Sequence, residues 1–240
     1  MSIADNLARL HDQIASACRH ANRPASEVAL MAVSKVHPVE VILEAYAAGQ
    51  RLFGENRVQE FAEKFPHIAP LSDPMRSSPP YAQYHLIGPL QSNKTTRAAE
   101  LFHSIDTVDS LKIAQRLNSA ALALNKKLPI LIEVKLSHEE SKHGLAPEDL
   151  PALLNDLAPF ENLIPSGLMT VPPWSEDPET ARPYFQHLRR LRDEQQRLHP
   201  TLTQLSIGMS NDFAVAIEEG STCIRVGTAL FGKRIFPAQA

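Results

Sequence analysis

Val28-Ala29-Leu30-Met31-Ala32-Val33-Ser34-Lys35 is an unbroken apolar run that ends on a lysine. A run of this length, rich in strand formers and bounded by His37-Pro38, predicts a strand buried on both faces. Such strands belong to parallel sheets, whose faces are covered by crossover helices. A lysine at the end of a buried strand is costly unless something there uses it. A site of low dielectric lowers the amine's pKa and makes it a nucleophile toward an aldehyde, the chemistry of a Schiff-base lysine. A surface lysine at a strand terminus is the competing reading.

Working outward, seven more strand-like runs follow. They lie near Arg51–Gly54, Tyr84–Gly88, Ser104–Val108, Ile130–Leu136, Ile164–Val171, Gln204–Gly208 and Cys223–Gly227. Helical patterns separate them. Ile3, Leu7, Leu10, Ile14 and Cys18 predict a leading amphipathic helix over 3–20, with Ser2 as its cap. Pro38 in a first turn, then Val39, Ile42, Leu43 and Tyr46 with Gly49 as the stop, predict another. Asp109 is the expected cap of a helix carrying Leu111, Ala114 and Leu117. In the segment 179–199, Tyr184, Leu188, Leu191 and Leu198 are expected on one face, and Asn211-Asp212 opens a short helix that ends at Gly220. The Pro- and Ser-rich stretch 66–80 reads as a surface loop.

Eight strand–helix units in 240 residues most economically close into a single-domain (β/α)8 TIM barrel with an extra N-terminal helix. One domain is expected over 1–240, with the barrel at about 26–234. An open doubly wound sheet usually has a Gly-rich turn after its first strand, and Ser34-Lys35-Val36-His37 has no glycine. The net charge of −3 gives no reason to expect nucleic acid or an anionic membrane as a partner. Two cysteines, Cys18 and Cys223, make no disulfide framework, and a reducing cytoplasm fits best. Neither a signal peptide nor a membrane span is expected.

Barrel enzymes place functional groups where strands end. Those positions here offer Lys35, then Glu55-Asn56, then His85 with Ile87-Gly88, Met169-Thr170, Ser206 through Asn211, and Arg225 through Thr228. Ser210 offers a hydroxyl and an N–H near a helix start, and Gly227-Thr228 offers two more N–H groups and a hydroxyl. Loops after strands seven and eight recur as phosphate sites in barrels. In a closed barrel that phosphate cradle lies beside strand one and Lys35. A ligand joining an aldehyde to a phosphate across that distance is pyridoxal 5'-phosphate (PLP). His37, His67, His138 and His143 lack metal-ligand spacing. Lys94 and Lys142 read as exposed loop residues, and Glu55 and Glu133 as internal hydrogen-bonding partners.

Several longer motifs carry a specific resemblance. They are Met31-Ala32-Val33-Ser34-Lys35, Phe53-Gly54-Glu55-Asn56-Arg57-Val58-Gln59-Glu60, His85-Leu86-Ile87-Gly88-Pro89-Leu90-Gln91-Ser92-Asn93-Lys94, Ser141-Lys142-His143-Gly144, Gly167-Leu168-Met169-Thr170, Leu205 through Asp212 and Arg225 through Gly232. Together they resemble the PLP homeostasis family, single-domain relatives of alanine racemase, along nearly the whole chain. The resemblance implies a protein that holds PLP as a Schiff base on Lys35 and buffers or delivers it with little or no catalysis. It implies Ser210, Gly227 and Thr228 at the phosphate, Arg225 facing the pyridine nitrogen, and Asn56 and Met169 lining the ring pocket, with Ser206 and His85 nearby. PLP-dependent apoenzymes are the implied recipients, and a monomer is expected, with a dimer as the alternative. A small PLP-dependent racemase, with His85 as its second acid/base, is the alternative reading. A phosphate-ligand barrel without aldehyde chemistry is a third.

Overall fold

The computed structural model describes residues 2–72, 81–137 and 143–232. Eight parallel strands close into one barrel, each hydrogen-bonded to the next in chain order and the last to the first. They are β1 (Ala29–Val33), β2 (Leu52–Glu55), β3 (Gln83–Leu86), β4 (Ser104–Val108), β5 (Leu128–Glu133), β6 (Leu163–Met169), β7 (Gln204–Ser206) and β8 (Cys223–Val226). Each expected strand is present; β4 matches its expected run, and the others begin or end within three residues of theirs. Closure is set by the register Met31↔Arg225 between β1 and β8.

The helices are α1 (Ile3–His20), α2 (Val39–Ala47), α3 (Val58–Ile68), α4 (Thr95–Leu101), α5 (Leu111–Ala123), α6 (Leu150–Asp156), α7 (Arg182–Gln196), α8 (Phe213–Glu218) and α9 (Thr228–Phe231). Ser2 and Asp5 form a reciprocal capping box at the start of α1, which satisfies two backbone donors that the helix leaves open. The apolar stripe Leu7, Leu10, Ile14 and Cys18 is buried. α1 packs on α8 and α9, with Asn6 Nδ2 donating to the Leu230 carbonyl at 2.9 Å. The helix after β8 has only four residues, so α1 covers the ring there.

Strand alternation divides the interior into two cores. Outside the barrel, Phe53, Tyr84, Phe61 and Phe102 interleave between strands and helices, with centroids 4.7–5.4 Å apart along the chain of rings. Inside it, β3 and β4 contribute the polar residues His85, Ser104 and Asp106. His85 Nδ1 lies 3.1 Å from Asp106 Oδ2, and Ser104 Oγ donates to Asp106 Oδ1.

Three local expectations are corrected. Ser110, not Asp109, is the N-cap residue of α5, and its hydroxyl donates to the Asp109 carboxylate. On α7 Leu188 is buried and Leu191 packs on the core as expected, but Phe185 joins them and Leu198 lies beyond the helix and is exposed. Pro66 stands inside α3 rather than in a loop. Asp212, as expected, stands at the N-cap of α8, and its carboxylate turns back to accept from Met209 N–H. The 73–80 part of the expected loop, His138 and Lys142 lie outside the described residues.

Candidate functional site

At the carboxyl ends of the strands the barrel opens into a cavity of about 570 Å³. That is the size of a small-molecule site. Its wall includes Lys35 after β1, Asn56 after β2, Ser210 after β7, and Arg225, Gly227 and Thr228 from β8 and its loop. Six of the nine residues expected at the site therefore converge, from segments nearly two hundred positions apart.

Lys35 is half-buried and sits two residues past β1. Ser34 beside it is fully buried, and its hydroxyl donates to Glu55 Oε1 at 2.8 Å. The cradle expected for an anion lies on the adjoining strand. A Cβ built on Gly227 would stand 3.5 Å from the Val33 carbonyl oxygen, which places this loop against the end of β1. α9 begins at Thr228, so its first N–H groups have no intrahelical acceptor, and Gly227 and Thr228 line the cavity.

Arg225 is 5% exposed and lies under the cavity. Nη1 donates to the carbonyl oxygen of Ser206 and, at 2.8 Å, to its hydroxyl, while Nη2 donates to the Thr170 carbonyl at 2.9 Å. Burial pulls its pKa below the usual guanidinium value, and Cys223, Asp106, Glu133 and Asp212 oppose that shift. A guanidinium in that setting stays charged at neutral pH. Burial raises the pKa of both Glu133 and Asp212, and Arg225 counters it in each.

His85, Met169 and Ser206 are not among the lining residues. His85 is engaged by Asp106 inside the barrel, Met169 is buried to 1% exposure, and Ser206 is fully buried as a partner of Arg225. Conversely, Glu133, expected only as an internal hydrogen-bonding partner, lines the cavity, as do Thr170 and Met209, which were expected at strand ends but not as ligand contacts. Glu133 and Thr170 stand at or just past the ends of β5 and β6, so the strand-end rule points to them. Alternation could not separate Thr170 from Met169, because a strand apolar on both faces gives no phase.

Asn56 Oδ1 is buried and has no hydrogen-bond partner among the described residues. A buried carbonyl oxygen facing a cavity is an acceptor for a ligand hydroxyl. An amine, an orphaned acceptor, a buried cation and a loop of open N–H groups thus surround one space. That donor set fits an aldehyde-bearing aromatic phosphate.

Residues 6–235 match the family model for the alanine racemase N-terminal domain. The pyridoxal phosphate homeostasis proteins of Aquifex aeolicus and Pseudomonas aeruginosa are 41% and 44% identical to the chain. They cover 98% and 100% of it, and 99% of their own lengths in each case. PipY of Synechococcus elongatus, solved with PLP bound, is 40% identical with a TM-score of 0.82, covering 96% of this chain and 100% of its own. Clostridium difficile alanine racemase, at 15% identity and a TM-score of 0.72, shares the fold over 57% of its length.

Proposed function

The chain belongs to the family of pyridoxal phosphate homeostasis proteins, and from that premise we propose that it holds PLP on Lys35 and buffers or delivers it inside the cell. The observation that carries the reading is the placement of Lys35 and Gly227-Thr228 at the ends of paired strands around one cavity. When bound, the cofactor supplies an aldehyde carbon that condenses with a primary amine, and a phosphate dianion. Lys35 Nζ provides the amine. Ser210 and Thr228 hydroxyls, with the N–H groups of Gly227 and Thr228, hold the phosphate. With the group bound, Asn56 Oδ1 would accept from a ring hydroxyl, and the Arg225 guanidinium would face the ring nitrogen. Ser206 braces Arg225 without lining the cavity, and Met169 and His85 also lie outside the lining.

Arg225 argues for carriage over turnover. PLP works as an electron sink when its ring nitrogen is protonated, usually beside a carboxylate. A permanently charged donor disfavours that protonation. Racemisation also needs a second acid on the opposite face of the ring. None of the four tyrosines is among the described residues that line the cavity, and His85 is held by Asp106 outside the lining. PLP-dependent apoenzymes are the recipients this reading implies, in the cytoplasm. Among the described residues no helix is long and apolar enough to cross a membrane.

Borohydride reduction of the PLP-loaded protein, followed by peptide mapping, tests the assignment. Label is expected on Lys35 and is lost in Lys35→Ala. Label on another lysine overturns it, and robust racemase turnover that disappears in His85→Ala would overturn the carrier reading.

A further inference from the structure

Val36 adopts a backbone conformation that its side chain opposes. His37 N–H donates to the Ser34 carbonyl at 3.1 Å, closing a four-residue turn with Val36 third. Its φ is +61°. A positive φ at that position normally requires glycine or asparagine. The other non-glycine residues with positive φ among the described residues, Asn22 and Asn125, are both asparagines. A β-branched residue there is an outlier, and such strain persists only where the surroundings over-determine it. Packing of the side chain does not supply that restraint, because Val36 is 56% exposed.

The backbone supplies it. Val36 N–H donates to Glu60 Oε1 at 2.6 Å. Glu60 stands in the first turn of α3, on the neighbouring strand–helix unit. Lys64, one turn on, donates to Glu60 Oε1 at 2.7 Å, to Glu55 Oε1 at 3.1 Å and to the Ser34 carbonyl at 3.2 Å. Glu55 is fully buried and also receives the Ser34 hydroxyl at 2.8 Å. The residues before and after Lys35 are therefore both gripped by the same Glu55–Lys64–Glu60 cluster.

We propose that Glu60 is a positioning residue for the Lys35 amine: by holding Val36 N–H it maintains the strained turn that aims Lys35 into the cavity, with Lys64 and Glu55 bracing it. The inference rests on the reading that Lys35 carries the aldehyde link. Glu60 touches neither cofactor nor reacting atoms. It acts on the direction of the amine and not on the phosphate cradle, which is built by β7 and β8.

The test uses the full chain with two ligands, PLP and 4'-deoxypyridoxine 5'-phosphate, which has the ring and phosphate but no aldehyde. Glu60→Ala is expected to lower the PLP affinity and the borohydride-trapped fraction on Lys35 about tenfold, with the affinity for the aldehyde-free analogue unchanged. Glu60→Asp keeps the charge beside Lys64 but is too short to reach Val36, and it serves if Glu60→Ala does not fold. It should show the same loss. Adding Val36→Gly to either variant should restore trapping, because glycine adopts positive φ without being held there. Parallel losses for both ligands, wild-type trapping in the Glu60 variants, or no rescue by Val36→Gly would each overturn the proposal. A label found away from Lys35 in the wild-type protein is the separate failure of the Lys35 assignment.

Discussion

Arg225 Nη2 donates to the carbonyl oxygen of Thr170 at 2.9 Å, so the end of β8 is tied to the end of β6 across the intervening strand. Nη1 of the same guanidinium takes both the carbonyl and the hydroxyl of Ser206 on β7. One planar cation thus staples three consecutive strand ends beneath the cavity. Arg225→Lys keeps the charge but loses the fork that reaches both strands. A loss of about 2 kcal/mol in unfolding free energy is expected, measured as a lower urea midpoint with an unchanged slope. A midpoint equal to wild type would show that the staple is energetically idle.

The phosphate cradle should be separable from the amine. Ser210→Ala and Thr228→Ala each remove one hydroxyl from the cavity wall. Each is expected to weaken PLP binding roughly five- to tenfold, while unphosphorylated pyridoxal binds as it does to the wild-type protein. Equilibrium dialysis with the two ligands checks this. Equal losses for both would place the hydroxyls at the ring instead.

Two glycines at the mouth should behave differently. A Cβ on Gly88 would lie 2.3 Å from the Asn56 carbonyl oxygen, a backbone atom that cannot yield. Gly88→Ala should cost about 3 kcal/mol in stability. A Cβ on Gly227 meets nothing nearer than 3.5 Å. Gly227→Ala should melt within a few degrees of wild type, so that any loss of PLP affinity in it is local to the cradle. Thermal melts of the two variants side by side decide the contrast.

Cys223 provides a pH signature. Burial pushes its thiol from 9.0 up to about 12, and Asp106 acts in the same direction against Arg225 and Ser206. The folded pKa lies above the unfolded one. The associated stability is therefore complete below pH 9 and is lost as the pH rises from there toward 12. By pH 11 the wild type should have lost roughly 3 kcal/mol that Cys223→Ala does not lose, read as the difference between their urea midpoints across that range. At neutral pH the thiol should react with a thiol reagent only after unfolding.

The site shows where reading a sequence stops. Lys35, Asn56, Ser210, Arg225, Gly227 and Thr228 could be named because strand ends are local features and barrels put function there. Glu60 carries no such mark. It occupies an ordinary helical position in α3, and only its reach to Val36, twenty-four residues back, gives it a role. Asp106 likewise carries no mark in the sequence, and only the pairing of β3 and β4 sets it 3.1 Å from His85 and takes that histidine out of the cavity wall.

By itself the sequence determined eight buried strands with helices between them, and hence a barrel, because apolar run length and helical period are encoded residue by residue. It determined too that an amine and an anion cradle would be neighbours, because closing the barrel must join its first and last strands. Only the tertiary structure decided how that amine is aimed, which polar residues face the cavity and which lie beneath it, and that a valine is held at a positive φ. Those features depend on strand register and on hydrogen bonds between distant segments, which no local pattern specifies.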